Sequence, residues 1–270
     1  MSPEANNFLA VAIEAAKLAG GIILDNLGRI SKADISIKQT SDFVTRVDKE
    51  SEIAVISTIK KNFPGHHFLA EESVKEIARD GYGWIIDPLD GTTNFIHRYP
   101  VFSVSIALQY ERETVLGVIY EPLKNDLFTA QKGRGAFLNG DLIRVSQTTT
   151  LKDSLITTGF PFRRKEFIDS YLSLFRNIFL QVSDLRRAGS AALDLAYLAC
   201  GRCEGFFEIG LSPWDMAAGD LLIREAGGIV TDFGGGRDYL ATGNIAAGVP
   251  GVHGELLEEI KKVFAGILDK

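Results

Sequence analysis

The 270-residue sequence predicts an α+β chain built on two sheets. Apolar stretches with helical spacing alternate along the whole chain with short apolar runs bounded by turn residues, which fits neither an all-helical nor an all-strand protein. In the first half, runs at 102–109, 115–121 and 127–132 follow one another with only short turns near Glu111 and Lys124, the pattern of hairpin-connected antiparallel strands. In the second half, runs at 154–158, 205–209, 229–232 and 245–248 are interleaved with helical patterns and belong to a second sheet. A hydrophobic content of 46% supplies a large core, in one composite domain or in two closely joined halves, 1–150 and 151–270, with an approximate boundary at Leu151.

The elements follow in order. Residues 7–27 form an amphipathic helical pattern carrying Glu14, Lys17 and Asp25. It lacks the charged-then-apolar pattern of a secretion signal, and no run is expected to reach the length of a membrane span. A second helix is predicted at 49–63. Phe68–Ala70 reads as a short strand ending at Glu71 and Glu72, and the apolar run after Trp84 as a buried strand that stops at Asp87, because Pro88 has no backbone donor and favours extended geometry before it. A short helix begins near Thr93. Gly133, Gly135 and Gly140 punctuate hairpins, and further helices are predicted at 167–179, 190–200, 216–226 and 255–268. Gly234, Gly235 and Gly236 lack the following Lys and Ser/Thr of a phosphate loop and read as a turn.

The most informative segment is WIIDPLDGTTNF, 84–95, where Asp87 and Asp90 stand in a tight acidic turn after a buried run. An extended chain would spread them by roughly 10 Å, whereas Gly91 permits a turn that lets them converge. Two ionised carboxylates about 4 Å apart repel by roughly 4 kcal/mol at an effective dielectric near 20. A bound cation removes that cost, and oxygen ligands without nearby Cys or spaced His favour Mg²⁺ over Zn²⁺. A solvated Asp-Pro turn is the alternative the string leaves open. Glu71 ends another apolar run and Asp215 stands at a helix start, where a capping carboxylate is the ordinary reading. Asp48 has the same ordinary reading at the start of the helix predicted at 49–63.

Taken together, these carboxylates are placed as in a known family. WIIDPLDGTTNF resembles the first signature of the inositol monophosphatase family, AEES its upstream glutamate segment, and WDMAAGDLLIREAGG its second signature, with further similarity from DFVTRVDKESE through KGRGAFLNG and RRAGSAALDLAYLACGR. The resemblance implies a layered α-β-α-β-α sugar-phosphatase fold. It implies metal ligands at Glu71, Asp87, the carbonyl of Leu89, Asp90 and Asp215, holding two or three Mg²⁺ ions. Thr92 and Asp48 would orient the attacking water, with Glu71 also at the catalytic centre. The phosphate would meet Gly91 and Thr92 beside Asp90 and Asp215, and the alcohol half would meet Glu208 and the loop Gly189-Ser190-Ala191.

The activity implied is Mg²⁺-dependent hydrolysis of a phosphate monoester, myo-inositol monophosphate first, by activated water and without a covalent phosphoenzyme. The alternatives are fructose-1,6-bisphosphatase or another sugar or nucleotide phosphatase, including those for histidinol phosphate and 3′-phosphoadenosine phosphate. A regulatory protein of a transcription complex, with an RNA polymerase-associated partner, is the rival from another class. A homodimer and lithium inhibition are expected by resemblance, although the link 74–83 is shorter than in longer relatives.

Other features carry less. Cys200 and Cys203 form a lone C-x-x-C that no second pair completes into a zinc site, and His66 and His67 point apart on a strand. Two cysteines provide no disulfide framework and agree with a cytoplasmic location. Arg163-Arg164-Lys165 and Arg186-Arg187 read as solvated basic groups, with one arginine available to a second substrate phosphate. Glu208 alone reads equally as an edge-strand residue. A net charge of −6 argues against direct binding to nucleic acid or an anionic membrane.

Overall fold

A computed structural model describes residues 3–39, 42–74 and 80–268. The chain begins with α1 (Pro3–Asn26), a hairpin β1 (Ile35–Gln39) and β2 (Asp42–Thr45), and α2 (Arg46–Asn62). There follow β3 (His67–Ala70), β4 (Tyr82–Asp90), the short α3 (Thr92–Ile96), and β5 (Ser103–Tyr110), β6 (Glu113–Glu121), β7 (Asp126–Gln131), β8 (Ala136–Leu138) and β9 (Asp141–Ile143). The second half holds β10 (Leu155–Thr158), α4 (Ile168–Phe179), β11 (Asp184–Arg186), α5 (Ala191–Ala199), β12 (Gly205–Glu208), α6 (Pro213–Glu225), β13 (Ile229–Thr231), α7 (Tyr239–Thr242), β14 (Ile245–Gly248) and α8 (His253–Phe264).

Strands β3 to β9 form one sheet in sequence order, antiparallel except for the β3–β4 pair. The other sheet runs β11-β10-β12-β14-β13, with β10 parallel to both its neighbours and β14 antiparallel to both of its own. Side chains alternate across the larger sheet. Trp84, Ile86, Ile106, Leu108 and Val118 pack with Ala12, Ala15, Val55 and Ile59 of α1 and α2. Ile85, Ala107, Ile119 and Phe128 face the other way, into a core shared with α5, α6 and the smaller sheet. Both faces are buried, which is why these strands read as unbroken apolar runs rather than alternating ones. Each buried Val, Leu, Ile or Phe among them contributes about 1.5–3 kcal/mol relative to exposure. With α4 and α8 packed together beyond the smaller sheet, the stack is α-β-α-β-α, the α+β fold expected.

Several local details differ from the sequence reading. Pro88 does not end β4, which continues to Asp90 through a register shift. Helices α2 and α6 start earlier than expected, because Thr45 and Ser212 each form a capping box with the carboxylate three residues on. The β1–β2 hairpin and β11 have no counterpart in the sequence reading, since three to five residues carry too little apolar pattern to stand out. Contrary to expectation, Asn7–Asn26 is long and apolar enough to cross a membrane by length and composition. Ala12, Ala15, Ala16, Ala19 and Ile23 of that helix nonetheless form a buried stripe in the core while Glu14 and Lys17 are exposed, as in a helix packed on a sheet. Of the link at 74–83, residues 75–79 lie outside the described residues.

Candidate metal centre and substrate cavity

The site is built on the irregularity in β4. Asp87 pairs with Ser105 and Asp90 with Ser103, so β4 holds two residues between them where β5 holds one. That extra residue is a bulge, a position where Pro88 costs no ladder hydrogen bond. Without it, the three-residue spacing would put the two carboxylates on opposite faces. Leu89 N–H donates to Asp87 Oδ1 at 3.0 Å and holds the turn. Gly91 then takes φ +96°, and a Cβ built there would lie 2.9 Å from the Val101 carbonyl oxygen, so only glycine leads the chain into α3 by this path.

Asp215 arrives from the other half of the chain. It is the third residue of α6, and its Oδ2 accepts from Ser212 N–H at 2.7 Å. One carboxylate oxygen from each of Asp87, Asp90 and Asp215 lies within 4.8 Å of the others, and all three residues are buried. Glu71, just past β3, flanks them: the Arg163 guanidinium lies 3.2 Å from Asp215 Oδ2 and 3.8 Å from Glu71 Oε1.

Burial and this convergence together raise the pKa values of the three acids. Burial, followed by the charges of Glu71, Asp90 and Asp215, holds Asp87 well above the usual carboxylate range. Burial and the Asp215 charge push Asp90 up to about 7, against the opposing hydrogen bonds from the Ser190 hydroxyl (2.5 Å) and Ala192 N–H (2.8 Å). Burial raises Asp215 as well, partly offset by Arg163. The cavity over these groups has a volume of about 250 Å³ and is lined by the carboxyls of Glu71, Asp87, Asp90, Asp194, Glu208 and Asp215 against two guanidinium groups, Arg163 and Arg187. Two carboxylates 4.8 Å apart repel by about 3.5 kcal/mol at an effective dielectric of 20. Arg163 relieves only one edge of this, and the donors are all hard oxygens, so the residues present fit divalent magnesium.

Beside the carboxylates lies a second arrangement. Asp48 is fully buried at the third position of α2, where its Oδ2 accepts from Thr45 N–H (2.8 Å) and Thr45 Oγ1 (2.5 Å). Its Oδ1 accepts from Thr92 Oγ1 at 2.7 Å. Burial raises the pKa of Asp48 against the hydrogen bonds from Thr45 and Thr92. The Leu89 carbonyl oxygen lies 3.2 Å from the same Thr92 hydroxyl, and both residues line the cavity. With its proton held by Asp48, Thr92 keeps lone pairs free toward the cavity.

The far wall comes from α5 and β12. Ser190 caps α5, and Asn94 Nδ2 donates to the carbonyls of Val101 (2.7 Å), Ala188 (2.9 Å) and Gly189 (3.2 Å), which fixes the Gly189-Ser190-Ala191 loop beside Asp90. Glu208 ends β12, an interior strand rather than the edge strand that its sequence allowed. Its carboxylate lies over Gly159, where a Cβ would meet Oε1 at 2.0 Å. Burial, then Asp215 and Asp194, hold it well above the usual range.

All the residues singled out in the sequence for catalysis, metal and substrate thus border one cavity or, for Asp48, its inner side. Three others there escape the sequence reading. Arg163 reads as solvated in the sequence, yet its side chain is only 23% exposed and bridges two carboxylates. Asn94 gives no sign in the sequence of holding a distant loop. Asp194 is visible only as one acid inside the apolar run AALDLAYLA. The weaker features lie elsewhere: His66 Nδ1 accepts from Trp84 Nε1 at 3.0 Å and its ring stacks on Phe63 at 4.9 Å, while Cys200 and Cys203 are free thiols whose pKa values burial raises.

The chain matches the model of the inositol monophosphatase family over residues 4–265. Nus factor SuhB of Salmonella typhimurium is 48% identical to it over 97% of this chain and 98% of its own length. Among solved structures, the extragenic suppressor protein suhB from Bartonella henselae matches with a TM-score of 0.91 at 43% identity, over 95% of this chain and 99% of that one. The inositol monophosphatase from Anabaena (Nostoc) matches with a TM-score of 0.86 at 41% identity, over 96% of this chain and 97% of that one.

Proposed function

The chain belongs to the inositol monophosphatase family, and on that premise we propose that it hydrolyses phosphate monoesters with magnesium, inositol monophosphate foremost. The observation that carries this reading is the convergence of Asp87, Asp90 and Asp215 next to the Asp48–Thr92 pair. Glu71, Asp87, the Leu89 carbonyl, Asp90 and Asp215 would hold two or three Mg²⁺ ions. When bound, magnesium supplies positive charge to the phosphoryl oxygens and acidifies water.

The chain's own residues do the rest. Asp48, fixed by Thr45, keeps the Thr92 proton, so that Thr92 Oγ1 accepts from a water and turns a water lone pair toward phosphorus. The Ser190 hydroxyl and Ala192 N–H hold Asp90 in one orientation, a form of preorganisation that costs nothing at the moment of reaction. Glu208 and the Gly189-Ser190-Ala191 loop face the alcohol half, where a carboxylate accepts from hydroxyl groups. The site works from a cytoplasmic homodimer sensitive to lithium.

Phosphate release with Mg²⁺, measured across inositol monophosphate, fructose bisphosphate and phosphoadenosine phosphate, tests this reading. Hydrolysis of inositol monophosphate above the other two supports it. No magnesium-dependent release from any member would sink it. The relatives named Nus factor favour a second reading, in which the protein also joins a transcription complex. Pull-down of RNA polymerase by this chain, with negligible hydrolysis across the panel, would put that role first.

A further inference from the structure

Asp194 is a buried acid to which the proposed hydrolysis assigns no role. It stands in the first turn of α5, retains 2% exposure and lines the cavity. Among the described residues, no donor reaches its carboxylate, yet neither oxygen is a fully enclosed orphan, so the carboxylate is open to the cavity. Glu208 is in the same condition, 6% exposed and without a donor of its own, and burial holds both acids well above the usual range, each electrostatically linked to its neighbours in the cavity. Desolvating two adjacent carboxyl groups and leaving them unpaired is costly, and such groups persist where a ligand completes them. Arg187, stacked 5.4 Å from the Phe160 ring, offers them a positive charge from the rim but no hydrogen bond. Both acids line the cavity together with Ser190 and Gly159, and the Glu208 carboxylate lies over Gly159.

We propose that Asp194 is a substrate-binding residue that works with Glu208 as a paired acceptor for neighbouring hydroxyl groups of the leaving alcohol, selecting a polyhydroxylated phosphate over one whose alcohol carries no other hydroxyl. The inference rests on the phosphatase reading for the position of the phosphate, and extends it to the residue that chooses the alcohol. A buried acceptor rejects a ligand that lacks its donor far more strongly than an apolar wall rejects a misfit, because the acceptor is left unpaired.

The test compares wild type with Asp194→Asn and Asp194→Ala on myo-inositol monophosphate and on p-nitrophenyl phosphate, whose leaving group has no further hydroxyl. For Asp194→Ala, KM for the inositol ester should rise about tenfold to a hundredfold. Asp194→Asn, which keeps one acceptor oxygen, should fall between, and kcat/KM for the aryl ester should stay within about threefold. Equal losses on both esters, with unchanged melting temperatures, would mean that Asp194 acts through Asp90 and would overturn the proposal; so would no change on either. Calorimetric titration of inositol monophosphate in calcium separates this from failure of the phosphatase reading. A wild type that binds but does not hydrolyse refutes the phosphatase reading, and the loss of affinity in Asp194→Ala still decides the role of Asp194. A wild type that neither binds nor hydrolyses the inositol ester refutes the polyol assignment outright.

Discussion

Replacing Asp90 by Asn should stabilise the metal-free protein at neutral pH and leave it unchanged in acid. Asp90 has a folded-state pKa of about 7 against an ordinary 3.8. The folded state therefore binds the extra proton between these values, and stability is fully present below pH 3.8 and is lost as pH rises toward 7. A displacement of this size corresponds to about 4 kcal/mol. The carboxamide oxygen introduced by Asp90→Asn can still accept from Ser190 Oγ and Ala192 N–H, so the substitution removes charge without orphaning either donor. His253, which burial shifts downward, changes stability in the opposite direction and is common to both proteins, so it cancels in the difference. Urea denaturation in EDTA from pH 4 to 8 measures it. The variant should gain on wild type steadily through this range, by up to about 4 kcal/mol at the alkaline end, and saturating Mg²⁺ should reverse the order. A gap that does not depend on pH, or a wild type more stable than the variant at pH 8 in EDTA, would refute the reasoning that the carboxylates are held together against their own repulsion.

Three further outcomes follow from the same geometry. Thr92→Val keeps the shape but removes the hydroxyl held 2.7 Å from Asp48, and kcat with Mg²⁺ should fall by at least about a hundredfold while the substrate KM changes little. Arg163→Gln removes the cation between Glu71 and Asp215, so the metal-free protein should lose about 2 kcal/mol and show a larger rise in melting temperature on adding Mg²⁺. Gly91→Ala places a Cβ 2.9 Å from the Val101 carbonyl in a left-handed turn, and should cost about 2 kcal/mol or more in urea denaturation, with loss of activity because Asp90 and Thr92 flank it.

Local pattern makes much of this legible. The hairpin strands near 102–132 announce themselves by apolar runs separated by turns, and the helices by their spacing, within a few residues at each end. The displaced starts of α2 and α6 have one cause: Asp48 and Asp215 look like the caps themselves, whereas the caps are Thr45 and Ser212, three residues earlier. Pro88 misleads as a strand breaker, because an antiparallel ladder can absorb it at a bulge. Glu208 cannot be assigned to an edge or an interior strand from its neighbours, since strand order depends on crossovers and not on the strand's own residues.

The sequence by itself determined which chemistry the chain can carry: oxygen donors rather than sulfur or imidazole, an acidic turn built on Asp-Pro and Asp-Gly, and apolar runs continuous enough to need covering on both faces. Only the tertiary structure decided what those donors face. The bulge that turns Asp87 and Asp90 the same way, the arrival of Arg163 against Asp215, and the burial of Asp194 beside Glu208 all depend on pairing or packing between separate segments of the chain. Periodicity is a property of neighbours along the backbone, whereas Coulomb energy and desolvation depend on distances through space, and those exist only once the two sheets have closed on the helices between them.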